Sequence, residues 1–320
     1  MRIIPALFVL VLGCTAAAAQ TYPNKAIRLI VGFAPGGAAD IISRAIGEPL
    51  GRALGQSIII DNKPGAGSSI AAEFVARASP DGYTILIASQ SGMIVNPVIN
   101  RNISYNTERD FATISKITSS PLVVTVNPAL PVHSIAELIA EAKKAPGKLN
   151  FASSGNGSVP HLAAVLFSAL TGVEMVHVPY KSGGQSVQSV LAGDTQVTFA
   201  TSPSVLPLVQ GGRLRALAVT SRERTPLVPR LPGMKEAGLS NYDMSVWYGF
   251  FAPAATPGDV IRRLFDATTL ALQNPNLKQV LAHDGTELTG SRSPEDFAAF
   301  VREETKLWAP IIRETGVKLD

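Results

Sequence analysis

The chain has a single cysteine, Cys14, among 320 residues. No disulfide can form within it, so its stability must come from a packed core. Histidine is sparse too. His133, His161, His177 and His283 are scattered without the spacing of metal ligands, and neither H-E-x-x-H nor G-x-S-x-G occurs. Zinc and an esterase-type nucleophile are therefore not expected. Charge is low: 28 Lys plus Arg against 24 Asp plus Glu leave a net +4 with no basic tract, which gives nucleic-acid binding no support. Aromatics are only 6% of residues against 46% apolar, the balance of α/β layers built from Ala, Val, Ile and Leu.

The N-terminus carries one basic residue, Arg2, an apolar core Ile3 to Leu12, and the small-residue run Ala16 to Ala19. This pattern is a secretory signal over residues 1–19, cleaved before Gln20, and is too short for a membrane span. The competing reading takes Val11-Leu12-Gly13-Cys14 as a lipoprotein box. With export, the cleaved chain carries no thiol and needs none.

The stretch around which the rest is organised is Ile27 to Asp40, IRLIVGFAPGGAAD. Its aliphatic start reads as a buried strand, and Phe33 to Gly37 as a turn. Ile41, Ile42, Ala45 and Ile46 then recur at helical spacing. In a strand, loop and helix unit the free N–H groups of the first helical turn face the loop, where the helix dipole adds positive potential and an anion can sit without Lys or Arg. A nucleotide phosphate loop is excluded because Ala38 and Ala39 replace its Lys and hydroxyl residue, and G-x-G-x-x-G is absent. No cofactor is expected. Two readings stay open here, a seat sized for a carboxylate and a plain tight turn. Pro49 and Gly51 fall within the helix and predict a kink or break near Gly47.

Strands are expected at Ser57 to Asp61 and Tyr83 to Ala88, with a helix from Ser69 to Ala78 capped by Ser68 or Ser69. The run Ile117 to Pro128 closes this block and opens a second α/β series. There, Ser134-x-x-Glu137 is a capping box, Leu149 to Ala152, Glu174 to Val178 and Gln196 to Ala200 are strands, and Ser158 caps a helix. After the apolar segment Tyr242 to Pro257 only helices are expected. The C-terminal part then returns to cover the first domain, so the chain crosses twice, near Ser120 and Val246. Two crossings make a hinge.

Five blocks carry a resemblance: FAPGGAAD (Phe33 to Asp40), the run Asp61 to Ser89, FASSGNGSVPHLAAVLF (Phe151 to Phe167), VHVPYKSGG (Val176 to Gly184), and WYGFFAPAATP (Trp247 to Pro257). In this order they resemble the periplasmic solute receptors of tripartite tricarboxylate transporters, the Bug-type receptors. The resemblance implies an α/β, two-domain type II periplasmic binding protein fold, each domain a mostly parallel sheet flanked by helices. The domains would be residues 20–119 with 247–320, and 120–246. It also implies a receptor without enzymatic activity, working as a monomer in the periplasm. Such a receptor delivers a small carboxylate (di- or tricarboxylate, acidic amino acid or aromatic acid) to a permease of one large and one small subunit. The alternative is a periplasmic sensor of the same ligands signalling to a membrane receptor. The chain departs from the commonest pattern at Gly32, where many members have proline, and at Ser182, where glycine usually stands.

The expected ligand seat combines backbone donors of Phe33, Ala34, Pro35, Gly36 and Gly37 with donors from the facing domain, partly through bridging waters. Asp40 either holds the turn or meets the ligand. Tyr180 and Lys181 close over it, Lys181 against a second carboxylate. Ser89, Gln90, Ser153, Ser154, Thr201 and Ser202 stand at strand ends, each as a ligand donor or a loop cap. His161 is a further donor candidate. A Ser154, His161 and Asp40 triad can be drawn, but nothing in the sequence activates that serine.

Overall fold

The computed structural model describes residues 22–314, so the calls on the leader and on Cys14 lie outside the described residues. β1 (Ile27–Val31) is buried at four of five positions and sits between β2 (Ile58–Asn62) and β3 (Thr84–Ser89), parallel to both. The glycine-bearing turn follows β1 directly and α1 (Ala38–Leu54) packs back behind it. Ser69–Ala76 forms α2, preceded by a 3-10 turn over Ala66–Ser68. Ser68 stands at the cap position, but its side chain makes no capping bond because its backbone is left-handed, at φ 81°. A π-helical turn, Ser91–Val95, follows β3 and runs into α3 (Asn96–Ile99).

One helix departs from expectation. α1 is continuous through Pro49, which is itself buried beside Ile46 and Leu50. An interior proline costs about 3 kcal/mol. The fully buried Ile42, Ile46 and Leu50 on the same face contribute roughly 1.5–3 kcal/mol each, which offsets that loss. The helix stops instead at Gly55, whose φ of 73° closes a left-handed cap on the Arg52 and Gly51 carbonyls.

After α4 (Thr107–Asp110), β4 runs unbroken for 16 residues, Phe111–Val126. Its first part, up to Pro121, pairs antiparallel with β9 (Ser245–Pro253); from Leu122 onward it pairs with β7 (Val197–Thr201), and Val123–Val126 also with β8 (Arg215–Val219). The second half continues through α5 (Ile135–Lys144), β5 (Asn150–Ser153), α6 (Val159–Thr171), β6 (Val176–Pro179), α7 (Gly183–Ala192) and α8 (Ser202–Gln210). Ser134 accepts the Glu137 amide at 3.1 Å, and Ser158 that of His161 at 3.3 Å, as their spacing requires. Each half of the sheet is mostly parallel with one principal reversed strand, β9 in the first and β4 in the second.

The C-terminal part is not purely helical. Between α10 (Pro275–His283) and α11 (Pro294–Glu314) a two-residue strand, β10 (Glu287–Leu288), pairs with Thr118 and Ser119 of β4. Two residues are too few to leave a periodic signal. With α9 (Gly258–Leu272), these elements cover the first half, Arg263 donating to the Ala53 carbonyl at 2.8 Å. Trp247, Phe251, Phe297 and Phe300 pack ring on ring beneath α11.

Candidate functional site

The two halves meet at the carboxyl ends of their parallel strands. Ala34 N–H donates to the Lys181 carbonyl at 3.2 Å, and Val159 N–H to Ser91 Oγ at 2.9 Å, each bond crossing from one half to the other. Glycines allow the approach. Gly36, with φ 84°, turns its carbonyl onto Gly184, where a Cβ would lie 2.7 Å from that oxygen. A Cβ on Gly37 would stand 3.4 Å from the Gly183 nitrogen.

Behind this clasp lies a cavity of about 20 Å³, room for about one water. Four helices begin on it: α1 through Gly37, Ala38 and Ala39, α6 through Val159 and Pro160, α7 through Gly183, and α8 through its cap residue Thr201. Phe33, Ser91, Ser154, Val246 and Tyr248 complete the wall, and no lining residue carries a charge. Each helix start brings partial positive charge from its dipole. At α6 the Val159 and His161 amides are bonded to Ser91 and Ser158 and Pro160 has no N–H, so oriented N–H groups come from α1, α7 and α8. Dipoles converging on an uncharged site favour an anion there without any cationic side chain.

Asp40 anchors the turn. It is 3% exposed and accepts from Gly36 N–H at 3.1 Å, from Arg44 at 2.9–3.1 Å and from Asn62 Nδ2 at 3.0 Å; Asn62 Nδ2 also donates to the Phe33 carbonyl at 2.9 Å. Burial alone would raise its pKa. The bonds from Arg44, Gly36 and Asn62 outweigh that and hold the carboxyl below its ordinary range. The geometry is that of a residue holding the turn, with both oxygens engaged.

Of the other expected residues, Phe33, Gly37, Ser154 and Thr201 line the cavity, while Pro35, Gly36 and Tyr180 line a groove of about 880 Å³ outside the clasp. Ala34 and Lys181 meet through their backbones, and the Lys181 side chain is exposed. Gln90 is spent on structure: its amide bridges the Ser245 carbonyl and the Trp247 N–H of β9 at 2.8 and 3.1 Å. Ser202 Oγ donates to the Pro121 carbonyl at 2.9 Å, and Ser89 Oγ accepts the Ser91 amide at 3.3 Å.

Ser153 bonds His177 Nε2 at 2.6 Å, and His177 stacks on His161 with ring centroids 4.0 Å apart. His161 Nδ1 accepts the Gly157 amide at 3.3 Å, which leaves its proton on Nε2. Burial lowers His161 to about 4 and, together with the neighbouring His161, His177 to about 3. His177, Ser91, Gly183 and Tyr248 were not among the expected residues. Of these, only Gly183 carried a local signal, as part of the small-residue run Ser182 to Gly184 after the Tyr-Lys pair, and that signal was of a turn.

Oriented helix ends closing on an uncharged cavity between two halves of a sheet define a receptor of the periplasmic solute-binding class. The chain belongs to the tripartite tricarboxylate transporter family receptor, TctC, whose family model matches residues 42–317. The protein BugT of Bordetella pertussis is 34% identical, covering 94% of this chain and 92% of that protein. Among solved structures, R. palustris Rpa4515 with adipate is 33% identical at TM-score 0.89, covering 93% of this chain and 99% of that one. MatC from Rhodopseudomonas palustris with bound malate is 28% identical at TM-score 0.87, covering 91% and 100%. The family is one of receptors, and the type II periplasmic binding protein fold implied by the sequence blocks is the fold of these relatives.

Proposed function

We propose that this protein binds a small organic carboxylate in the interlobe cavity and delivers it to a two-subunit tripartite tricarboxylate-type permease, without chemistry on the ligand. The convergence of four helix N-termini on one uncharged cavity carries this reading. The adipate and malate found in two relatives support the same ligand class. On this reading residues 20–119 with 247–320 form one domain and 120–246 the other. They hinge where β4 exchanges β9 for β7 after Pro121, and again at the start of β9. A four-carbon diacid is several times larger than the present cavity, so the domains separate to admit it. The leader directs the chain to the periplasm.

The test is a melting-temperature screen of malate, adipate, glutamate, citrate and benzoate, each paired with its uncharged amide. Binding at a hundredfold excess over Kd stabilises by about 2.7 kcal/mol, a shift of several degrees. Acids that raise the melting temperature while their amides do not support the anion seat. Amides that bind as tightly as the acids rule it out. Uptake of the labelled acid in cells lacking the receptor then decides between transport and sensing.

A further inference from the structure

Ser68 is 1% exposed, and its Oγ has no hydrogen-bond partner among the described residues. A buried hydroxyl left unmade costs about 1–3 kcal/mol, so it calls for a reason. Packing places it with care. A Cβ on Gly32 would come within 2.0 Å of the Ser68 Oγ, and one on Gly92 within 3.3 Å, so the side chain occupies space left free by two glycines, one just after β1 and one in the π-helical turn after β3. Their chain neighbours Phe33 and Ser91 line the interlobe cavity. The hydroxyl thus sits beside two glycines that each adjoin a residue of the wall on which the first ligand carboxylate would sit.

Its chain neighbour Gly67 is closed in from both halves. A Cβ on Gly67 would meet Asn96 Nδ2 at 2.8 Å from its own half, and the Asn156 carbonyl at 2.6 Å and Gly157 at 3.2 Å from the other, so the loop joining β5 to α6 lies against the turn that carries Ser68. Separation of the halves lifts that loop away from the turn. The backbone is also unusual there, since φ is positive at Ala66, Gly67 and Ser68 in succession. Glycine would adopt the Ser68 conformation more readily than serine.

We propose that Ser68 is a ligand-binding residue, its hydroxyl donating to the carboxylate seated on the Phe33 to Gly37 turn once the halves close around it. This rests on the receptor reading above and adds a third loop, that between β2 and α2, to the binding surface. A hydroxyl that no protein group among the described residues satisfies is available to donate to the acid.

The test compares Ser68→Gly and Ser68→Ala with the wild type by calorimetric titration of malate, adipate and benzoate, alongside melting of the free proteins. Both variants should weaken the acids the wild type binds by about tenfold or more. Ser68→Gly should nevertheless melt at or above the wild-type temperature, because glycine suits φ 81°. A purely structural serine would leave affinity within twofold in the glycine variant, which would overturn the assignment alone. A wild type that binds none of the acids, including glutamate and citrate, overturns the receptor reading and the Ser68 role with it.

Discussion

Replacing Gly184 by alanine separates closure from folding in one substitution. The residue lies in the first turn of α7 with no positive φ, so alanine fits the helix and is worth up to about 1 kcal/mol over glycine. The added methyl stands 2.7 Å from the Gly36 oxygen and 3.0 Å from the Gly36 carbonyl carbon when the halves are together. Ordinary contact needs several tenths of an ångström more at each atom, and both atoms are backbone in a turn held by Asp40. Overpacking of this kind costs about 1–3 kcal/mol. The open protein does not feel it, so the whole cost falls on the closed complex, a loss of roughly 5- to 150-fold in affinity. Titration of the best acid from the screen reads the loss, and melting of the free protein reads the helix gain. Gly258→Ala is the control: it too begins a helix, but no atom lies within 4 Å of the new methyl. Unchanged affinity in Gly184→Ala would refute the clasp as the closed contact.

The histidine pair makes stability depend on acid. Both folded pKa values lie below the ordinary 6.5, so the unfolded chain binds more protons between pH 6.5 and 3, and stability is lost as pH falls through that window. For His161 the loss reaches roughly 3 kcal/mol below pH 4. Urea midpoints of His161→Gln at pH 7 and pH 4 should differ less than those of the wild type; an equal difference would contradict this. Asp40→Ala should lower the melting temperature and weaken acid binding, since it strands the Gly36 amide and Arg44; wild-type binding by a folded variant would show that the turn holds itself. Gln90→Ala removes two bonds to β9 and should destabilise by about 1–3 kcal/mol in denaturant titrations while leaving acid affinity within a few fold. A large affinity loss with unchanged stability would instead make Gln90 a ligand contact.

Much of this fold was legible because its signals are short. A β-branched run ending in Gly and Pro marks β1 and its turn, and Ser134 and Ser158 sit where their helices begin. β4 was harder, since the run Ile117 to Pro128 reads as the junction of two blocks, whereas one strand, Phe111–Val126, passes through it with Pro121 inside. In the structure its missing N–H falls where the strand changes partners, so no ladder bond is lost that a regular strand would have kept. Gln90 and Ser202 resembled ligand donors because strand ends favour polar residues. Their partners, Ser245, Trp247 and Pro121, are far away in sequence, and only the folded chain brings them near. The approach of Gly36 to Gly184 is invisible for the same reason, as each glycine alone signals only a turn.

The unbroken course of β4 through both halves bears on the proposed hinge. One strand carries the ladder to β9 up to Pro121 and the ladder to β7 from Leu122, so on the receptor reading the pivot would be the single point where these ladders change over, and each half would turn with its own ladder intact. A joint so placed would let the halves move as rigid pieces, with their cores undisturbed.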